Sequence, residues 1–237
     1  MRIDKRKNNQ LRKIKITPHF MPNAEGSCLF EIGDTKVICT ASIEQTVPPF
    51  MRGQGTGWIT AEYGMLPCSC GQRIQREAAK GKQQGRTVEI QRLIGRSIRT
   101  ICDMSKLGER TIKIDCDVLQ GDGGTRCASI SGSYVALMLA LTKLKKQGLI
   151  ECIPIQDSVA AVSVGILEGK NILDLCYKED STAEVDMNII MTGKGKFIEI
   201  QGTAEKDPFS EEQMQEMITL AKKGIKEIIK VQKQVIG

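Results

Sequence analysis

Histidine is nearly absent from this chain of 237 residues, which contains only His19. With a single histidine, a histidine-paired acid–base mechanism is not favoured. This constraint points to a reaction whose nucleophile arrives already charged. Such a nucleophile needs to be positioned more than it needs to be deprotonated.

Aromatic residues are also scarce, at 4% of the chain, so the core must be largely aliphatic. No run approaches the roughly 18–20 apolar residues that a membrane span requires. The first residues, MRIDKRKNNQLRK, carry charge with no apolar segment behind it, unlike a secretory signal. We therefore expect a soluble, cytoplasmic protein that has no membrane partner.

The cysteines do not form a recognisable framework. There are nine, an odd number, and Cys68 and Cys70 form a C-x-C pair with no second pair and no nearby histidine. Structural zinc sites use more ligands at characteristic spacings, so zinc is not favoured. The pattern favours a reducing compartment, where thiols stay free.

Neither of the common nucleotide-binding loops occurs: there is no G-x-x-x-x-G-K-[ST] run, and no G-x-G-x-x-G opens an early strand–helix unit. A different glycine loop lies within residues 111–148. The alternating stretch TIKIDCDVLQ predicts a strand, GDGGTR a tight loop, and the apolar run that ends near Gly148 a helix.

A strand, a glycine loop and a helix start aim unpaired backbone N–H groups at an anion. Thr125 adds a hydroxyl and Arg126 a forked cation at this point. The pattern predicts binding of phosphate or a phosphate ester, and inorganic phosphate is a nucleophile that arrives charged. The alternative is an ordinary strand–helix connection in which the glycines only form the turn.

Positive charge is clustered. The net charge of the chain is +6. Residues 1–15 hold seven Lys/Arg and one acidic residue, and residues 73–99 hold eight Lys/Arg and two acidic residues. Clustered cations are typical of proteins that bind a polyanion such as RNA. Two solvated basic faces are the alternative.

The predicted elements form two similar β-α halves, an α+β fold. A hairpin at Gly33–Asp34 joins two strands, a basic loop at 68–86 is predicted to be mobile, and a helix runs from an N-cap at Thr87 to about Cys102. The last helix begins with a capping box of Ser210 and Gln213 and runs to about Lys233. The predicted strands are 27–33, 35–43, 57–66, 111–120, 158–167, 171–177, 183–192 and 196–205. We expect a single domain, 1–237, with halves of roughly 1–150 and 151–237.

The helix after Thr87 carries three arginines, Arg92, Arg96 and Arg99, on the stripe opposite its apolar face. That stripe could face solvent, RNA or another subunit.

Acidic residues are concentrated in YKEDSTAEVDMN. Asp180 is predicted to end a strand, and Asp186 lies inside the next one. Two carboxylates that converge in this way suit Mg²⁺ or Mn²⁺. The alternative is a polar turn whose acids face solvent.

Taken together, these segments resemble the ribonuclease PH family. The resemblance covers nearly the whole chain and is carried by six blocks in order: AEGSCLFEIGDTKVICTASIE, VPPFMRGQGTGWITAEYGMLP, REAAKGKQQGRTVEIQRLIGRSIR, ERTIKIDCDVLQGDGGTR, EDSTAEVDMNIIMTG and QGTAEKDPFS. It implies the ribonuclease PH-like fold, of the ribosomal protein S5 domain 2-like type, and a ring-shaped homo-hexamer, a trimer of dimers.

The resemblance also implies an activity, phosphorolytic trimming of the 3′ ends of tRNA precursors, with rRNA as a further RNA partner. It assigns phosphate binding to Arg86, Gly124, Thr125 and Arg126. The implied catalytic residues are Arg86, Arg126, Asp180 and Asp186, with Mg²⁺ held by the two aspartates or a proton given by one of them. The implied RNA contacts are Arg73, Arg76, Arg92 and Arg99.

The chain departs from the family pattern at Cys68, usually arginine, and at Cys176, often an acid. Three other activities stay open from the sequence: a hydrolase that uses water, a catalytically silent RNA-binding ring subunit, and an RNA chaperone. The nucleotide released from RNA, with and without phosphate, distinguishes them.

Overall fold

The first half of the protein is built on a mixed five-stranded sheet. A computed structural model of the chain describes residues 2–237. The strands lie in the order β1-β2-β3-β5-β4, with β4 and β5 parallel and the other neighbouring pairs antiparallel. Their bounds are β1 Ile14–Pro18, β2 Gly26–Ile32, β3 Thr35–Glu44, β4 Trp58–Met65 and β5 Thr111–Gln120.

The second half contains a four-stranded antiparallel sheet in the order β7-β6-β8-β9. Its strands are β6 Val159–Leu167, β7 Lys170–Leu173, β8 Val185–Thr192 and β9 Phe197–Ala204. The helices of the whole chain are α1 Glu77–Lys80, α2 Gly85–Thr100, α3 Met104–Leu107, α4 Thr125–Lys146, α5 Tyr177–Asp180 and α6 Glu211–Ile236, with a 3₁₀ turn at Pro49–Met51.

Helix α4 contacts both sheets. It packs on β2 and β3 of the first sheet and on β6 of the second, and α6 packs on β6 and β7. One buried aliphatic cluster contains residues of both sheets and of α2, α4 and α6. The predicted α+β architecture is therefore confirmed.

The expectation that no run is apolar enough for a membrane span is wrong for α4. The helix is long and apolar enough to cross a membrane, with a mean hydropathy of 1.4 over its most apolar 18-residue window. In the fold, 78% of that window is buried. Its apolar surface on all sides is that of a core helix packed between layers.

Several predicted boundaries are wrong. Helix α2 begins at Gly85, so its N-cap is Gln84, while the hydroxyl of Thr87 donates to Glu77 Oε1 at 2.6 Å. The loop at 68–86 contains the one-turn helix α1. The strand expected over 171–177 ends at Leu173, and Asp180 is the last residue of α5 rather than the end of a strand.

Two helical glycines give a test of this packing. A Cβ at Gly132 in α4 would lie 2.5 Å from Cys39 Sγ and 3.1 Å from Phe30 Cβ, whereas a Cβ at Gly85 in α2 would meet nothing within 4 Å. Gly132→Ala gains about 1 kcal/mol of helix propensity but suffers overpacking worth about 1–3 kcal/mol. We expect a lower urea midpoint for Gly132→Ala and an unchanged or higher one for Gly85→Ala. Equal midpoints would contradict the tight contact between α4 and the first sheet.

Candidate active site

The glycine loop after β5 has the predicted geometry. Gly123 and Gly124 have φ of +76° and +67°, and α4 begins at the next residue, Thr125. A Cβ at Gly123 would lie 2.6 Å from the carbonyl oxygen of Leu175, so the loop can approach the second half this closely only with glycine there. The first N–H groups of α4 therefore begin beside the segment that carries the acids.

Thr125 is oriented by a residue that the sequence analysis did not single out. The hydroxyls of Tyr63 in β4 and Thr125 lie 2.9 Å apart in a buried hydrogen bond. Burial raises the pKa of Tyr63, although the Thr125 hydrogen bond and the charge of Arg86 oppose this. The phenol therefore stays neutral at physiological pH and holds the threonine hydroxyl at the helix start.

Two guanidinium groups come from the first turns of two helices. Arg86 is the second residue of α2, and Arg126 is the second residue of α4. Arg126 Nη1 donates to Gln201 Oε1 of β9 at 2.8 Å and lies 3.7 Å from Glu89 Oε1 of α2. The charges of both arginines act on Tyr63 and on Asp180, so the two cations face one common region.

The predicted acidic pair is assembled at the same place. Asp186 is the second residue of β8, opposite Thr203 of β9, and Asp180 ends α5. Burial is the largest cause that raises the pKa of Asp180, and the charge of Asp186 raises it further. Arg86 and Arg126 lower it in part. A carboxyl with this pKa keeps its proton at a pH where ordinary aspartates are ionised.

A buried ion pair connects the glycine loop to the residues between β7 and α5, which lead into the acidic segment. Arg12 Nη2 lies 2.7 Å from Asp174 Oδ1, and both side chains are almost fully buried. Arg12 also donates to the carbonyl oxygens of Asp122 and Gly123 in the loop. Burial alone would lower the pKa of Arg12, but the pairing with Asp174 outweighs it and leaves this pKa raised.

The loop has two further anchors. Thr35 donates its hydroxyl to the Gly123 carbonyl at 2.7 Å and accepts from the Asp122 N–H at 2.9 Å. Asp122 Oδ1 accepts from the N–H of Tyr177, the first residue of α5, at 3.2 Å. The glycine loop is thus hydrogen-bonded to Thr35 of β3 and, directly, to the first residue of α5.

Three arginines of the basic N-terminal segment bind acidic residues of the fold. Arg2 makes two hydrogen bonds to the buried carboxylate of Glu179, at 2.8 and 2.7 Å, and donates to the carbonyls of Leu173 and Asp174. Arg6 lies 3.2 Å from Asp174. The interpretation of residues 1–15 as a cluster for a polyanion, or as a solvated face, is therefore wrong for Arg2, Arg6 and Arg12.

The other predicted site residues lie in two settings. Arg73 and Arg76 are exposed in the segment after β4, and Arg92 is exposed on α2. Arg99 is half-buried: its Nη1 donates to the Ile59 carbonyl at 2.8 Å, and its guanidinium lies 5.0 Å from the centre of the Trp58 ring. Arg96 pairs with Glu199 at 2.6 Å, so the three-arginine stripe does not face one partner.

The arrangement suits an anion on one side and a metal or a proton on the other. Two cations, a hydroxyl and the N-terminus of α4 face two carboxylates. Among residues 2–237, no group of three or more His, Cys, Asp or Glu is placed to hold a metal. A pair of carboxylates fits Mg²⁺, which usually keeps several waters and takes other ligands from substrate phosphates.

Two family models match the chain over most of its length. A model described as the 3′ exoribonuclease family, domain 1, matches residues 10–143, and a model of domain 2 of that family matches residues 157–224. The domain 1 match ends in the last turn of α4, and the domain 2 match begins just before β6, where the second sheet begins.

Two curated relatives are similar to this chain over nearly its whole length. Ribonuclease PH of Syntrophomonas wolfei is 58% identical over 236 residues, covering 100% of this chain and 99% of that protein. Ribonuclease PH of Neisseria meningitidis is 58% identical over 229 residues, 97% and 95% of the two chains.

Two solved structures share the fold at lower identity. The crystal structure of rice Rrp46 matches with a TM-score of 0.81 and 20% identity over 100% of both chains. A chain of the Archaeoglobus fulgidus exosome with RNA bound to the active site matches with a TM-score of 0.79 and 22% identity, covering 97% of this chain and 91% of that one. Since both family domains are matched and the ribonuclease PH relatives align from end to end, this chain belongs to the 3′ exoribonuclease family, among the ribonucleases PH.

Proposed function

We propose that this protein shortens tRNA precursors, and rRNA as a second substrate, from the 3′ end by phosphorolysis. RNA of n+1 nucleotides and inorganic phosphate give RNA of n nucleotides and a nucleoside diphosphate. The observation that carries the proposal is the meeting of Arg86, Arg126 and the start of α4 with Asp180, since the charges of both arginines act on that carboxyl. The reverse reaction adds nucleotides to RNA 3′ ends.

The attacking phosphate is bound by Arg86, Gly124, Thr125 and Arg126. The guanidinium groups and the first N–H groups of α4 supply charge-assisted donors, and the Thr125 hydroxyl held by Tyr63 supplies another. A phosphate oxygen attacks the phosphorus of the last phosphodiester, and the bond to the 3′ oxygen of the preceding nucleotide breaks. The site contributes by positioning the anion and stabilising the developing charge.

The departing 3′ oxygen needs a proton or a positive charge. Asp180, whose pKa is raised by burial and by Asp186, is suited to give that proton. With both carboxylates ionised, Asp180 and Asp186 would instead hold Mg²⁺, which when bound supplies Lewis-acid stabilisation of an oxyanion. Both roles require that the two aspartates lie beside the phosphate site.

RNA reaches this site along exposed cations. Arg73 and Arg76 precede α1, and Arg92 lies on the α2 surface one to two turns after Arg86. Such cations bind the RNA backbone without reading its sequence. Arg99 is less suited to bind RNA, because its guanidinium already contacts Trp58 and the Ile59 carbonyl.

We further infer that the chain, a single domain over 1–237, assembles as a cytoplasmic homo-hexamer, a trimer of dimers. Large apolar side chains, including Phe50, Phe197 and Ile200, are exposed on the described surface. Subunit contacts would remove such groups from water.

Removing the Arg126 guanidinium tests the phosphate assignment. Arg126→Ala should lose about 2–4 kcal/mol of transition-state stabilisation, seen as a large fall in kcat/KM for phosphate. Arg73→Ala removes the same charge from an exposed position and should instead raise KM for RNA. The measurement is release of nucleoside diphosphate from 3′-labelled RNA across a phosphate series. Release of monophosphate in phosphate-free buffer, or unchanged turnover in Arg126→Ala, would refute phosphorolysis.

The pKa of Asp180 tests the acidic pair. Because the charge of Asp186 raises this pKa, Asp186→Asn should lower it, and the carboxyl should lose its proton at a lower pH. Carbon-detected NMR titration of the aspartate carboxyls measures the shift. Asp34→Asn, at the β2–β3 turn, is the matched control and should leave Asp180 unmoved. An unchanged pKa of Asp180 in Asp186→Asn would show that the two carboxylates do not share a site.

The hexamer predicts a sedimenting mass six times the 26.1 kDa of the chain. Analytical ultracentrifugation at micromolar concentration should find this species, with dimers appearing on dilution if the trimer contacts are the weaker ones. A single species of the mass of one chain would contradict the assembly.

A further inference from the structure

Arg126 is held by two side chains that are not among the proposed phosphate ligands. Its Nη1 donates to Gln201 Oε1 at 2.8 Å, and Gln201 Nε2 donates to Glu89 Oε1 at 3.0 Å. The same Glu89 oxygen lies 3.7 Å from Arg126 Nη1. The three residues come from α4, β9 and α2, so elements of both halves converge on one guanidinium.

The chemistry of these groups determines which of them donates each hydrogen bond and which accepts it. A guanidinium can only donate hydrogen bonds, and a carboxylate can only accept them. The Gln201 amide satisfies both neighbours in one orientation alone, with its oxygen towards Arg126 and its nitrogen towards Glu89. Arg126 requires the amide oxygen by itself, and Glu89 reinforces that orientation by accepting from the amide nitrogen.

The two partners of Arg126 act in opposite senses on an incoming anion. Gln201 is neutral, so it restrains the guanidinium without cancelling its charge. Glu89 carries a negative charge close to Arg126, and a phosphate must bind in the presence of that charge. The Glu89 side chain is 42% exposed and that of Arg126 is 17% exposed, so solvent weakens this pairing but does not remove it.

We propose that Gln201 and Glu89 are positioning residues that set the affinity of Arg126 for phosphate, an inference that rests on the proposed phosphorolysis. Gln201 holds the guanidinium in the orientation that phosphate requires. Glu89 orients Gln201 and keeps phosphate binding weaker than the arginine alone would allow.

The test compares KM for phosphate, kcat and KM for RNA in the full-length protein. Gln201→Leu should raise KM for phosphate about tenfold and lower kcat, since it removes a hydrogen bond to a charged group. Glu89→Gln keeps an acceptor for the Gln201 amide but removes the charge. It should lower KM for phosphate about two- to fivefold, the range expected for a partly exposed ion pair, and the gain should shrink as salt is raised.

A neighbouring glutamate provides the matched control. Glu199 lies on β9, two residues before Gln201, and pairs with Arg96 at 2.6 Å. Glu199→Gln makes the same charge change on the same strand but should leave KM for phosphate unchanged. If Gln201→Leu does not fold, Gln201→Glu, which has nearly the same shape, should raise KM for phosphate because it adds a second negative charge beside Arg126.

The results separate this inference from the proposed function. If the unmodified protein requires phosphate but KM for phosphate stays within twofold in the Gln201 and Glu89 variants, the inference is wrong and phosphorolysis stands. An increase of KM for phosphate in Glu89→Gln would also overturn it, as would a decrease in Glu199→Gln as large as that in Glu89→Gln. If the unmodified protein does not use phosphate, phosphorolysis itself is wrong.

Discussion

The buried ion pair between Arg12 and Asp174 is the constraint on which the site depends. Moving two charges out of water costs several kcal/mol per ion, which the pair alone does not always offset. Here the Arg12 side chain also donates to two carbonyls of the glycine loop, and Asp174 Oδ2 accepts from the Arg12 backbone N–H at 2.8 Å. The additional hydrogen bonds make the pair a fixed joint between the glycine loop of one half and the residues that lead into α5 in the other.

This joint changes how the charge of the chain should be interpreted. Net charge and its clustering indicate the long-range electrostatic field that attracts a polyanion. An arginine that is paired with a buried carboxylate contributes little to that field. Arg2, Arg6 and Arg12 are three of the seven basic residues in 1–15, and each contacts Asp174 or Glu179. Residues 73–99 keep more of their cations at the surface, so the field for RNA arises mainly there.

The sequence was informative where the signal is local. The strand, glycine loop and helix of 111–148, the β2–β3 hairpin and the Ser210–Gln213 capping box all follow from neighbouring residues. The partners of the site residues do not: Arg12 is 162 positions from Asp174, and Arg126 is 75 from Gln201. Such pairs have no period in the sequence, so Tyr63, Glu89 and Gln201 stood inside the family blocks without an assigned role.

The prediction that Asp180 ends a strand is wrong because of the same ion pair between Arg12 and Asp174. The apolar run NILDLCY favours a strand through residue 177, but Asp174 turns away with a φ of +58°, a conformation that aspartate tolerates better than most residues. The turn lets Asp174 meet Arg12 and starts α5, where Glu179 accepts from the Cys176 N–H at 3.1 Å and from Arg2. A strand continued through 177 would have no way to bury Asp174 against Arg12. The position of the acidic residue thus follows from an ion pair with the N-terminal segment, which overrides the local strand preference.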